Sequence, residues 1–546
     1  MERRPAPAAA AAAAEHHHHH HALTRMRGRH RRRWLAIPAA ALCAAAGPAR
    51  AQSAPAPGLA LEQALSAAVE RSGGVRAARE QLAGALGGAR AATGAFDPTL
   101  TSFVTSTRDN TLRWDGGGAD AVQPSRTLGV AYGVALERRF RSGLVVAPEV
   151  RATRREFSPD AAGRNNTASA SLVLQLPLLR GAAGQLAAPE RAAAAVAGAA
   201  RADLLHAAAV AAQDAANAYW ACAAAAERLA VQRQAEERSR RLVEQTRVLV
   251  AAQERAQADL NPLLAALATR QAARSAAEQD LAEARRTLGL AMGVEGDAIS
   301  SLPLPSTPLP SAGGGAAAMA TEALVRDALA RRADLSAARQ AVRAQGVLAD
   351  AAQAATRPKL DLQLSVGYTG AVPGEAWSGL VTPLYRDLNT WSAGVEVSWQ
   401  AALGNAAATG TAAQSRAAQR QEEVAAQELE RGIRSGVAVA AEALRHGQEE
   451  LERADEAVRL SQTTVENEER KFQLGMSTLF DVIQAEDQLT SALLSRISAQ
   501  QRYAVARARL AFETGALVRD EDGRAVPDAG PLAAAPPSPR SGPARP

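Results

Sequence analysis

Two stretches in the second half of the chain alternate strictly between apolar and polar residues. Leu360, Leu362, Leu364, Val366 and Tyr368 alternate with Asp361, Gln363, Ser365, Gly367 and Thr369. Trp391, Ala393, Val395, Val397 and Trp399 alternate with Ser392, Gly394, Glu396, Ser398 and Gln400. Period-two alternation predicts strands with one apolar and one polar face. About ten residues is also what a tilted strand needs to cross a bilayer. Trp and Tyr near the strand ends suit an interfacial aromatic girdle. The first half repeats the pattern at Leu128–Leu136 and Ala170–Leu176, with further candidates at Leu100–Ser106 and Leu144–Thr153. It therefore holds up to four strands where the second half holds two.

Between the strands the period changes. Val437, Leu444, Leu451, Val458, Val465 and Phe472 are spaced by seven, and Leu260, Leu267, Leu281 and Leu288 follow the same spacing around Arg274. Sustained heptads predict helices packed as coiled coils. A helix from Ala406 to Lys471 would be roughly 105 Å long at 1.5 Å per residue. Another is predicted over Thr321–Ala355. An isolated coiled coil explains the heptads, but it does not explain the two-faced strands.

The pattern occurs twice. At an offset of 260, Arg71, Arg79, Pro98 and Leu100 meet Arg331, Arg339, Pro358 and Leu360. At an offset of 222, Asp259, Arg274, Arg285 and Gly293 meet Asp481, Arg496, Arg507 and Gly515. These residue types are not inflated by the Ala richness of the chain, so they mark a tandem duplication. The expected organisation is a leader (1–51), a first repeat (52–302), a linker (303–315), a second repeat (316–520) and a disordered tail (521–546). Pro303, Pro305, Pro308, Pro310 and three Gly make the linker extended.

Composition supports helices packed through small residues: aromatics are 3% of the 546 residues. The net charge of +6 belongs to the leader. Residues 1–51 hold nine Arg and two acidic residues, leaving 53 basic against 54 acidic elsewhere, so no nucleic-acid surface is indicated. The leader reads as a secretory signal. A basic segment precedes the apolar stretch Trp34–Ala46, which is too short for a membrane helix, and Ala49-Arg50-Ala51 is a small-x-small cleavage site. Translation is expected to start at Met26 and cleavage to follow Ala51. No membrane-spanning helix is expected in the mature chain.

Chemistry is sparse. Six of the nine His form one run in the leader, and the Cys are Cys43 and Cys222. Leu42 before Cys43 argues against lipidation. No metal site, disulfide or cofactor motif is indicated. Gly116–Gly118 reads as a loop, without the helix a phosphate cradle needs. No nucleophile–base pair stands out, so the chain is not read as an enzyme.

Few strands per repeat cannot close a barrel, and lipid does not tolerate open strand edges. The strands must join those of other copies, with polar faces lining a channel and apolar faces meeting lipid. The expected fold class is mixed α and β: a long coiled-coil helical barrel plus a transmembrane β-barrel completed by oligomerisation.

At this point the chain resembles the TolC-like outer-membrane efflux proteins over about residues 59–515. The resemblance is carried by Pro98-Thr99-Leu100 and Pro358-Lys359-Leu360, by Leu176-Pro177-Leu178-Leu179-Arg180-Gly181 with its weaker counterpart Trp399–Gly404, and above all by Phe472–Leu489. It implies a homotrimer in the outer membrane, with a twelve-stranded barrel and a periplasmic helical tunnel. A periplasmic adaptor and an inner-membrane pump are its implied partners, and efflux or secretion is its implied function. Extra strands would enlarge the barrel to eighteen or form a hairpin outside it. The resemblance places a periplasmic gate at Asp481 and Asp259, with Gln484 where the family archetype has a second Asp. Ser477 stands where that archetype has an Arg linking neighbouring tips. Gly475, Val482 and Ile483 form the tip turn, matched by Gln253 and then Asn261-Pro262 in the first repeat. Pro177, Gly181 and Gly404 mark the strand-to-helix junctions. Mutual repulsion in a ring of Asp481 would raise its proton affinity. The competing reading is a periplasmic coiled-coil tether without a pore, in which Asp481 is an ordinary turn residue.

Overall fold

The computed structural model describes residues 58–114, 122–158, 164–180, 185–311, 320–373, 382–385 and 389–533. The leader with Ala49 and Ala51, Gly116–Gly118, Gly181, the linker glycines 313–315 and residues 534–546 lie outside the described residues. The chain divides into two units, Met1–Pro55 and Ala56–Pro546. The first lies outside the described residues as well, and all helices and strands among the described residues belong to the second.

The order of elements repeats. The first half runs α1 (Leu61–Arg71), α2 (Gly73–Thr93), β1 (Thr99–Trp114), β2 (Val122–Arg139), β3 (Val145–Ser158), β4 (Arg164–Pro177), α3 (Ala188–Ala251) and α4 (Leu260–Ala291). The second runs α5 (Thr321–Arg331), α6 (Ala333–Ala354), β5 (Lys359–Pro373), β6 (Asn389–Gln400), α7 (Ala406–Gln473) and α8 (Leu479–Glu513). The predicted helix over Thr321–Ala355 is thus two helices. The break falls at Arg332, whose backbone is extended (ψ 124°). Its guanidinium donates to Asp334 at 2.7 Å and to Glu513 at 2.5 Å, which fixes the bend. Ser72 makes the equivalent break in the first half, with its hydroxyl accepting from Val75 N.

One duplicated pair explains why the repeats pack alike. Gly293 and Gly515, after α4 and α8, both have positive φ. A Cβ on Gly293 would sit 2.8 Å from the backbone of Arg71, and one on Gly515 would sit 3.1 Å from that of Arg331. Only glycine allows these helix ends to touch, and it does so in both halves.

The main core lies where α1, α3, α4 and α8 meet. Ala208, Ala212, Ala215 and Ala216 bring α3 close, and Tyr219 and Trp220 fill the centre edge to face at 5.3 Å. The Tyr219 hydroxyl donates to Leu59 O (2.8 Å) and accepts from Thr307 N (3.0 Å). Leu59 also exchanges backbone hydrogen bonds with Leu304 and Ser306, so the Pro-rich link runs extended beside the start of α1. The α3 region contains one window long and apolar enough to cross a membrane, with mean hydropathy 1.2. Its apolarity comes mainly from alanine, and 22% of the window is buried within the chain.

Residues 521–533, expected within a disordered tail, are ordered. Strands β7 (Val518–Glu521) and β8 (Arg524–Pro527) form a hairpin, followed by the turn of helix α9 (Gly530–Ala533). Leu517 and Leu532 are buried in the main core, and Arg507 donates to Pro531 O at 2.9 Å. Two leucines at the right spacing outweigh a Pro- and Gly-rich composition.

All six long strands form one antiparallel sheet in chain order. Its register is continuous. One row reads Ser102, Val134, Val150, Ala170, Tyr368, Trp391 across the six strands, and the next reads Phe103, Gly133, Arg151, Ser169, Thr369, Thr390. Toward the helices, alternate rows are therefore mainly apolar and mainly polar, as a membrane barrel wall requires, with Ser102 and Phe103 of β1 as exceptions and Arg154 and Glu156 of β3 departing farther out.

Candidate functional site

The two helical hairpins, α3–α4 and α7–α8, end in tips of different construction. At the α7–α8 tip, Gly475 (φ +73°) stops α7; its N–H donates to Phe472 O (3.0 Å), and Met476 N donates to Lys471 O (2.8 Å). This left-handed cap suits glycine. Thr478 then caps α8 in a reciprocal box with Asp481. Thr478 N and Oγ1 donate to Asp481 Oδ2 at 2.8 and 2.6 Å, and Asp481 N donates back to Thr478 Oγ1 at 3.3 Å. Ser477 Oγ donates to Asp481 (3.3 Å) and to Glu468 (2.8 Å), and Lys471 reaches Glu468 at 2.6 Å. Val482 and Ala485 are buried behind the turn, Ile483 is half-buried and Gln484 is exposed.

The hydroxyl of Thr478, seconded by its backbone N–H, holds the Asp481 carboxyl below the usual carboxylate range. Within one chain this is opposite in sign to the rise expected from a ring of three.

The α3–α4 tip is less favourable. Gln253 stands where the other tip has glycine and adopts the same left-handed conformation (φ +63°). That backbone costs a non-glycine residue roughly 1 kcal/mol. Asp259 begins α4 without a side-chain capping bond, and Pro262 sits in the first turn, where a missing N–H costs nothing. Asp259 is half-buried, 4.0 Å from Arg255.

Two features at the tips left no periodic signal. The Arg255 guanidinium lies 5.0 Å from the Phe472 ring centroid, joining one tip to the other by a cation–π contact. Leu474, Met476 and Phe480 are each 70–75% exposed at the α7–α8 tip. Behind the tips, charged groups bridge α3 and α4 to α8: Arg238 lies 4.0 Å from Glu486, and Arg270 pairs with Asp487. Burial pushes the Glu486 carboxyl up.

At the sheet end, Pro177 closes β4 opposite Asp361, and Leu178 N donates to Leu360 O at 2.7 Å. Gly404 (φ +88°) and Asn405 (φ +41°) turn the chain from β6 into α7, with Asn405 Nδ2 donating to Thr356 O at 2.8 Å. A cavity of about 810 Å³ lies against the polar face at the helix end of the sheet, lined by Arg139, Gln175, Lys359 and Asp361 among others. The apolar face carries exposed Leu100, Val104, Val366, Val395 and Val397.

None of this assembles a reaction centre. Cys222 is buried and its thiol is pushed up to about 11, so it is not a nucleophile at neutral pH. Among the described residues, no group of three or more His, Cys, Asp or Glu is placed to hold a metal ion.

Residues 324–516 match the model of the outer membrane efflux protein family. No curated protein matches the chain. Several solved structures share its fold. A membrane protein from Pseudomonas aeruginosa is 18% identical, covering 83% of this chain and 90% of its own, with a TM-score of 0.60. The outer membrane protein VceC of Vibrio cholerae is 18% identical, covering 83% and 96%, at 0.59. The Campylobacter jejuni CmeC outer membrane channel is 13% identical, covering 84% and 85%, at 0.57. At such identities the likeness shows the fold. The second half of the chain thus carries a match to the outer membrane efflux protein family, and the fold as a whole is one found in outer-membrane channels. Residues 324–516, which match the outer membrane efflux protein family, include the Phe472–Leu489 motif.

Proposed function

We propose that three copies close into one ring, forming the exit duct of a tripartite efflux or secretion assembly with a periplasmic adaptor and an inner-membrane pump. The observation that carries this reading is the sheet: apolar on one face, polar on the other, with β1 and β6 at open edges. Such edges are not tolerated in lipid, so other copies must cover them. Strand β1 leaves the helices and β6 returns to them, so neighbouring copies meet antiparallel.

The gate is proposed at the tips opposite the sheet. Asp481, held ionised by Thr478 and Ser477, presents one carboxylate per copy near the axis, with Gln484 one helical turn away and Asp259 on the companion tip. A ring of ionised carboxylates favours cations. The exposed Leu474, Met476 and Phe480 give the adaptor an apolar surface to meet.

The test is assembly. Arg at Val395, mid-strand on the apolar face, costs roughly 2–4 kcal/mol in lipid. Val395→Arg should abolish trimers in the outer membrane, while Glu396→Arg, on the polar face, should leave them. Equal assembly of the two would remove the barrel reading.

A further inference from the structure

The resemblance implies twelve strands in the assembled barrel, but this chain brings six strands in one sheet. The duplication identifies the surplus. Pro98-Thr99-Leu100 at the start of β1 corresponds to Pro358-Lys359-Leu360 at the start of β5, and Pro177 at the end of β4 corresponds to the end of β6. The pair without a counterpart is β2–β3, which lies between β1 and β4 rather than at an edge.

We infer that the β2–β3 hairpin is part of the barrel wall, so that three copies build an eighteen-stranded pore. This rests on the reading that copies close into a ring. Three independent features of the hairpin support it. Its pairing is unbroken along β1, from Thr99↔Glu137 to Trp114↔Val122, and runs from Val145↔Gln175 to Glu156↔Arg164 along β4. Its facing agrees with its neighbours in the half nearer the helices: Val134 and Val150 continue the apolar row, while Ala135 and Glu149 continue the polar one; farther out, the paired Arg154 and Glu156 stand on the apolar side. Its turn is fastened to the helical part. Arg141 donates two hydrogen bonds to Glu190 at the start of α3, both 2.7 Å, and its guanidinium lies 5.0 Å from the Phe96 ring centroid after α2. A hairpin lying outside the wall would need neither matched faces nor an anchor at the strand-to-helix junction. An even strand number and antiparallel closure are both kept at eighteen.

Barrel diameter grows about linearly with strand number, so the pore would be roughly one and a half times as wide as a twelve-stranded one. The consequence is a mouth open to bulkier cargo, such as folded or polymeric solutes.

The experiment is thiol mapping on the full chain in lipid vesicles, with single cysteines at Val134, Val150, Ala135 and Glu149. Cys43 is replaced by serine, and buried Cys222 serves as a silent background. Controls are Val366→Cys and Ser365→Cys on β5. The expected result is a lipid-phase quencher reaching positions 134, 150 and 366, and a water-soluble thiol reagent reaching 135, 149 and 365. Alternation on β5 alone, with all four hairpin positions reacting in water, would overturn the eighteen-stranded wall and keep the duct. Loss of alternation on β5 as well would overturn the ring itself. Should the variants fail to assemble, end-on electron microscopy of the unmodified protein in nanodiscs decides the matter. A barrel about one and a half times the twelve-stranded width agrees, and a twelve-stranded width does not.

Discussion

At the residue scale the tips carry the most specific chemistry. Asp481 is both a helix cap and the proposed gate charge. Because its folded proton affinity is depressed, its contribution to the tip is present above the unfolded carboxylate value of about 3.9 and is lost as pH falls through the lower folded value. The exchange protection of the amides at Leu479–Val482, taken relative to their intrinsic rates, should therefore fall in acid well before that of the core. Thr478→Ala removes the cap and should cost about 1 kcal/mol of local stability. Glu486 has the opposite sign. Its folded proton affinity is raised, so its stabilising contribution is full below the unfolded value and is lost as pH rises through the folded one. Glu486→Gln should raise thermal stability at neutral pH and flatten that dependence; a melting curve unchanged in both respects would contradict the assignment. Gln253→Gly should stabilise the first tip by roughly 1 kcal/mol, because the backbone is already left-handed there.

At the element scale, the sequence disclosed most where burial is periodic. The heptads of α7 put Val437, Leu451, Val458 and Val465 in the interior as read, and both alternating strands of the second half fall within β5 and β6. The break at Arg332 was not legible, because an ion-paired bend interrupts neither composition nor period. Nor was the ordered β7–β8 hairpin, which depends on Leu517 and Leu532 finding a core formed by distant elements. The tip motif disclosed the turn at Gly475 and the position of Asp481, but the cap that lowers its proton affinity depends on side-chain geometry. The Arg255–Phe472 contact joins residues more than two hundred positions apart, so no local pattern signals it. Trp220, central to α3 packing, offers an element-scale check. Trp220→Ala should cost about 3–5 kcal/mol by cavity formation and lower the melting temperature of the whole helical part.

At the scale of the whole molecule, a two-faced sheet with β1 and β6 at its open edges is joined to helical hairpins whose tips present charge and exposed apolar side chains. The duplication gives each copy two hairpins of unequal construction, one capped by glycine and a Thr–Asp box, the other strained at Gln253 and started at Pro262. Unequal tips mean unequal ease of movement, so opening is expected to begin at the α3–α4 tip. On the proposed reading, sheet and tips together make the assembled protein a duct with an acidic constriction. The most direct measurement is ion conductance of the purified protein in a planar bilayer, beside an Asp481→Asn variant. An acidic constriction predicts discrete channels whose cation preference falls in the variant. Discrete channels with identical selectivity would remove Asp481 from the gate. Protein shown to be inserted but carrying no current at any pH or voltage would contradict the duct.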